Sequence, residues 1–187
     1  MNWQEIIKLF AHDPKEPLLF HTGFFLLIFS IFLIVYAFVA NKNKLRNLAI
    51  IIFSIYFYYK ASGIFVVLLL ITLTADYLFS LIIYNQKRIL FKKIWLFIGI
   101  VFSLSFLIYF KYKNFFLQNL NLLTDNNFTT EALILPIGIS FYTFQSISYL
   151  IDTYNNRLSK PSYSDYLMYM TFFPHLVAGP IVRAKDF

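Results

Sequence analysis

The sequence predicts an all-α integral membrane protein, a multi-span helical bundle with broken or re-entrant helices. Three observations carry this expectation. Of 187 residues, 59% are hydrophobic and only 13% charged, whereas soluble domains carry about 25% charged residues. The apolar residues are gathered in long runs, and a run of about 20 crosses the hydrocarbon of a bilayer. Nine of the sixteen basic residues lie in three short segments between those runs, the placement of cytoplasmic loops.

Lipid removes the conflict such a chain would meet in water, where a fold of this size needs a charged exterior. The 24 Phe and 14 Tyr suit lipid-facing helices and interfacial belts. In a soluble protein a net charge of +7 would suit nucleic acid. Here the charge sits in loops, so membrane lipids are the expected partner and nucleic acid is not. The absence of cysteine excludes disulfides, thiolate catalysis, Cys-based metal sites and Cys lipidation.

Within residues 1–17, Trp3, Ile6, Ile7 and Phe10 recur at i, i+3, i+4, i+7. That is one face of an interfacial helix; a frayed polar terminus is the alternative. Asp13-Pro14 and Pro17 end it. Residues 18–40 form the first expected span, with His21 its only ionisable group. At 23 residues it exceeds a signal-peptide core of about 7–15, so a cleaved signal is not expected. A basic loop at 41–47 leads to a shorter run, 48–59. Its end, Tyr56-Phe57-Tyr58-Tyr59-Lys60, has the aromatic and snorkelling residues of an interface.

Residues 64–84 form a third span, and 85–93 a loop with four basic residues and no acid. Residues 94–110 form a fourth span, and 114–131 a surface loop or short helix. The fifth apolar segment, 132–151, is interrupted by Pro136 and Gly138. The sixth, 166–182, is broken by Pro174, Gly179 and Pro180. Irregular backbone at membrane depth is tolerated only inside protein or beside water, so the sixth is not expected to cross as a simple helix. No linker divides the chain, and residues 18–187 read as one membrane domain.

Strict alternation puts 41–47, 85–93 and 152–165 on one side, the cytoplasm by the positive-inside rule, with 111–131 outside. Single cysteines at Asn43 and Lys87 should therefore resist an impermeant thiol reagent in intact cells, while one at Asn126 is labelled. The reverse pattern would overturn this topology.

A few polar residues stand out. Asp76 lies deep in the third span, where a carboxylate costs about 2.5–3.5 kcal/mol. It either faces a proton or substrate path or is tied by hydrogen bonds to a neighbouring helix. Gln145, Ser148 and Asp152 share one helical stripe, which faces a partner helix or a water-filled path. Beyond the bend forced by Gly179-Pro180, Arg183 suits a phosphate or carboxylate. His175 suits titration near neutral pH, or a structural place beside Pro174. His12 and His21 stand isolated, and three scattered histidines predict no metal site. HExxH, Gly-rich phosphate loops, EF-hand loops and GxSxG are absent.

Two segments, LPIGISFYTFQSISYLID over 135–152 and FFPHLVAGPIVR over 172–183, resemble in this order the bacterial branch of the membrane-bound O-acyltransferases. The alginate-acetylating members are most similar, with peptidoglycan O-acetyltransferases and teichoic-acid D-alanyl transferases as relatives. Lys44-Leu45-Arg46-Asn47, the Tyr-rich end of the second run, Asp76-Tyr77, Tyr109-Phe110-Lys111-Tyr112 and Asn114-Phe115-Phe116 support the match. The resemblance covers nearly all of 18–187. His175 departs from it, standing where relatives often carry Gln.

The resemblance implies the N-terminal part of a larger, many-helix acyltransferase fold with a central channel, in a bacterial inner membrane. An acyl group, acetyl first, would pass from a cytoplasmic donor such as acetyl-CoA or an acyl carrier to hydroxyls of an exported cell-surface polysaccharide. Cell-envelope acetylation partners are implied, and a tightly bound cofactor is not. The family's essential histidine would lie beyond Phe187, leaving this stretch catalytically incomplete. On the residues alone, a small transporter or channel subunit and a non-catalytic membrane scaffold stay open as alternatives.

Overall fold

The apolar runs fold into helices joined by links of two or three residues, which turn each of the first four back on its predecessor. The computed structural model describes residues 10–13, 18, 20–124, 134–160, 162–178 and 182–184. The helices are α1 (Gly23–Val39), α2 (Asn43–Ser62), α3 (Phe65–Asn85), α4 (Ile89–Leu107), α5 (Lys113–Thr124), α6 (Ile139–Tyr154), α7 (Tyr163–Thr171) and α8 (Phe173–Ala178). No strand occurs among the described residues. Among the described residues, two helical stretches are long and apolar enough to cross a bilayer, Phe65–Asn85 with 21 residues and Ile89–Leu123 with 35.

Several boundaries differ from the sequence expectation, each for a local reason. α1 has 17 residues, about 26 Å. It starts only after Thr22, whose Oγ1 accepts the Phe25 N–H at 3.2 Å as an N-cap. The expected basic loops shrink to their N-terminal ends, 40–42 and 86–88. α2 takes Lys44 and Arg46 into its first turn, and α4 takes in Lys92 and Lys93, because Leu, Lys and Arg are good helix formers. α4 does not stop at Phe110. A turn of π-helix, Ile108–Tyr112, carries it on into α5. The expected surface segment is thus helical to Thr124, and 125–133 lie outside the described residues. The interfacial helix expected in 1–17 falls mostly on residues outside them too. Phe10 is described, and its ring packs on those of Phe24 and Tyr56.

The sixth apolar segment breaks at Phe172, two residues before the expected Pro174, while Gly179-Pro180 lie outside the described residues. Phe172 takes an extended ψ of 110° between α7 and α8. Pro174 then sits in the first turn of α8, where its missing N–H is no loss.

α6 lies against both α3 and α4, and α2 against α1, α7 and α8. One core gathers Leu69, Leu73, Tyr142, Tyr149, Tyr166 and Met170. The other is aromatic. The Phe173 ring lies 5.1–6.3 Å from those of Phe20, Phe25, Phe29, Phe53 and Phe57. Phe57 and Tyr58 are fully buried and Lys60 is nearly so, so 56–60 is not an interfacial belt. The helical period turns Ser54, Phe57, Tyr58 and Ala61 inward. Lys60 bends back to donate to the Ala11 carbonyl and sits 5.4 Å over the Phe24 ring.

Candidate functional site

Buried polar side chains need partners, and following those partners from α2 outward traces the site. Asn47, Ser54, Tyr58 and Ser62 recur at i, i+7, i+11, i+15, one stripe of α2. Asn47 Nδ2 donates to Asp165 Oδ1 of α7 at 3.1 Å. Ser54 Oγ accepts the Phe173 N–H at the α7–α8 break, at 3.3 Å. The Tyr58 hydroxyl donates to the Ile137 carbonyl at 2.9 Å, and Ser62 Oγ accepts the Ile137 N–H at 3.1 Å. One helix thus holds both helix breaks through their backbones. The breaks also touch each other. Gly138 has φ +72°, and a Cβ there would lie 2.3 Å from the Leu176 carbonyl oxygen.

Asp76 forms a second node. Only 2% exposed, it accepts from Ser103 Oγ of α4 at 2.8 Å through Oδ1 and from Ser146 Oγ of α6 through Oδ2. One carboxylate therefore ties α3, α4 and α6, the helix-tying alternative raised by the sequence. Ser146, which the sequence pattern did not single out, supplies the α6 contact.

The neighbouring face of α6 looks toward α7. Gln145 is buried, and its Nε2 donates to the Tyr169 carbonyl at 3.3 Å. Asp152 is buried on the same face, with Ser148 half-buried between them. Asp152 Oδ1 pairs with Arg157 at 3.2 Å, while its Oδ2 has no partner among the described residues. Lys92 Nζ donates to Asn156 Oδ1 at 2.7 Å and steadies the turn after α6, where Asn156 adopts φ +55°.

Beside this turn the rings of Tyr77, Tyr149, Tyr163, Tyr166 and Tyr169 pack with centroids 4.7–6.2 Å apart. A cavity of about 270 Å³ opens against Tyr149, Tyr166 and Tyr169, lined also by Lys160, Ser162 and Asp165. The buried Tyr166 hydroxyl makes no hydrogen bond of good geometry among the described residues, with Ser146 as its polar neighbour. His175 is half-buried, edge-on to Phe172 at 5.0 Å. Arg183 is exposed. Neither takes part in the hydrogen bonds of Asp76 or of Gln145 given above. His12 is not isolated as expected. Its Nδ1 lies 3.0 Å from the Lys60 carbonyl at the end of α2.

Comparison with known proteins settles what these packed segments belong to. Over 171 residues, 78% of this chain, the sequence is 33% identical to the peptidoglycan O-acetyltransferase of Helicobacter pylori. The chain is a relative of the bacterial membrane-bound O-acyltransferases. Over 97 residues, 49% of the chain, it is 44% identical to the Pseudomonas aeruginosa protein named "Probable alginate O-acetylase AlgI". Over 58 residues, 31% of the chain, it is 33% identical to the teichoic acid D-alanyltransferase of Streptococcus thermophilus. These matches span 32%, 19% and 14% of the three proteins, so the chain spans about a third of the first. No protein-family model and no solved structure matches the chain. In this O-acyltransferase relative, the two segments that carried the resemblance are the ones α2 grips and Gly138 brings into contact.

Proposed function

We propose that residues 18–187 are part of a multi-pass membrane O-acyltransferase domain of a bacterial inner membrane. The protein transfers an acyl group, acetyl first, from a cytoplasmic donor such as acetyl-CoA or an acyl carrier to hydroxyls of an exported cell-surface polysaccharide. Cell-envelope acetylation proteins are its partners. The observation that carries this reading is the 33% identity to a peptidoglycan O-acetyltransferase across 78% of the chain. The exposed apolar residues of α1, α3 and α4, among them Ile34, Phe38, Ile71 and Phe97, support placement in lipid.

The proposed roles follow from position. Because their segment is one that carries the family resemblance, Gln145, Ser148 and Asp152 are assigned to the substrate path on α6, and Arg183 to an anionic group of donor or acceptor. Asp76 holds helices together. The general base toward the acceptor hydroxyl, the family's histidine, comes from sequence outside this chain. A positioned base contributes about 10²–10⁴-fold, so residues 1–187 alone should insert into a membrane and acetylate nothing.

Both parts of the reading are open to test. In the full-length protein at equal expression, joint Asp152→Ala and Arg183→Ala substitutions should lower polysaccharide acetylation by about tenfold or more, since small displacements of bound groups cost about that much. Wild-type acetylation would remove the site. In a strain lacking the full-length protein, acetylation by residues 1–187 that disappears in His175→Ala would put the base in this chain instead.

A further inference from the structure

A groove between α1, α2 and the α7–α8 break, about 530 Å³ in volume, is apolar along most of its length and cationic at one end. Phe29, Leu33, Ile50 and Phe172 form its walls, and Tyr36 and Arg46 close the end near the α1–α2 link. Phe29 and Tyr36 are seven residues apart on α1, about 10 Å along the axis. The Arg46 guanidinium is half-buried and has no hydrogen-bond or ion-pair partner among the described residues. No acidic residue occurs between Glu16 and Asp76. Asp165 of α7 accepts from the neighbouring Asn47 and makes no ion pair with Arg46. A half-buried cation without an ion-pair partner among the described residues, set at the end of a dry furrow, matches one ligand chemistry, an anionic head on a hydrocarbon tail.

We propose that this groove holds one acyl tail of an anionic phospholipid, with the lipid phosphate on Arg46. The occupant is a lipid of the bilayer rather than a protein segment because the polar demand is confined to one end. That end lies at the link between two antiparallel helices, with Lys42 and Lys44 beside it, at the level where headgroups meet juxtamembrane basic residues. The seated tail lies against Phe172, the residue of the α7–α8 break, and braces it. The inference needs the chain to sit in a bilayer. It does not need acyl transfer, so its failure and the failure of the proposed function are separate results.

The test is lipid retention by the purified full-length protein in neutral detergent, read by native mass spectrometry. Phosphatidylglycerol and phosphatidylcholine are supplied in equal amounts. Wild type should retain one more phosphatidylglycerol than Arg46→Gln, with roughly tenfold weaker binding in the variant. Arg46→Lys should keep the preference for the anionic lipid. Leu33→Trp keeps the charge and fills the groove, so it should also lose that lipid, and it carries the test should Arg46→Gln fail to fold. Equal retention of the two lipids by wild type, or an unchanged phosphatidylglycerol count in Leu33→Trp or in folded Arg46→Gln, would overturn the proposal.

Discussion

Gly138→Ala should be among the most damaging single-methyl additions in this chain, at about 3–5 kcal/mol. Two costs act together. At φ +72° an L side chain is strained, which costs about 1–3 kcal/mol. The added Cβ would also stand 2.3 Å from the Leu176 carbonyl oxygen. That atom is backbone of α8 and cannot swing aside as a side chain would. Overpacking of this kind costs about 1–3 kcal/mol, against a typical total stability of about 5–15 kcal/mol. Thermal unfolding in mild detergent, followed by circular dichroism, should show a midpoint lowered by about 10 °C. Gly23→Ala is the control. Nothing lies within 4 Å of its Cβ, and its effect should stay within about 0.5 kcal/mol. Gly138→Asn separates the two costs, because Asn tolerates the left-handed region yet carries the same Cβ. Near-wild-type stability in Gly138→Asn would mean that φ alone matters and that the two breaks are not pressed together.

Asp76→Ala should cost about 2–3 kcal/mol, mainly through what it leaves behind. Burying a carboxylate is itself unfavourable, so its removal alone could even help. The loss comes from the orphaned donors. Ser103 Oγ already lies 2.9 Å from the Gly99 carbonyl and can fall back on it. Ser146 has beside it only the Tyr166 hydroxyl, with which it makes no well-formed bond, and an unsatisfied buried hydroxyl costs about 1–3 kcal/mol. Asp76→Ala with Ser146→Ala should therefore recover at least half of the stability lost in Asp76→Ala. The same unfolding assay reads it. Strict addition of the two single losses would mean that the clamp is not a coupled unit. At equal folded protein, Asp76→Ala should acetylate better than the Asp152→Ala, Arg183→Ala pair.

Much of this arrangement was legible in the residues. The third apolar run, expected at 64–84, folds as Phe65–Asn85, because it is apolar along most of its length and bounded by Gly63 and a polar Asn-Gln-Lys-Arg stretch. The break before α6 falls at Pro136–Gly138, where proline and a left-handed glycine both oppose a helix. The α6 stripe was visible as well, since Gln145 and Asp152 share a face by spacing alone.

Other features depend on which face meets which neighbour. Gln145, Ser146 and Ser148 are all polar, and only the rotation of α6 against α3 selects Ser146 for Asp76. Lys60 next to tyrosines reads like an interfacial anchor until Ala11 and Phe24 are known to cover it. The α2 stripe has the same periodic signal as the α6 stripe, but its polar members are scattered among isoleucines and phenylalanines. The π-helical turn at Ile108–Tyr112 has no residue type that announces it.

The Asp76 clamp also sets a schedule for synthesis. Ser103 follows Asp76 by 27 residues and Ser146 by 70. Chains are made at about 5–20 residues per second, so the carboxylate waits about 1–5 s for its first serine and about 4–14 s for its second. In lipid that wait is spent against a cost of about 2.5–3.5 kcal/mol. The short α3–α4 link lets the two helices enter as a hairpin and shortens the first interval. α6 closes the clamp last, which makes the arrival of its serine the step that commits α3 and α4 to their final place against it.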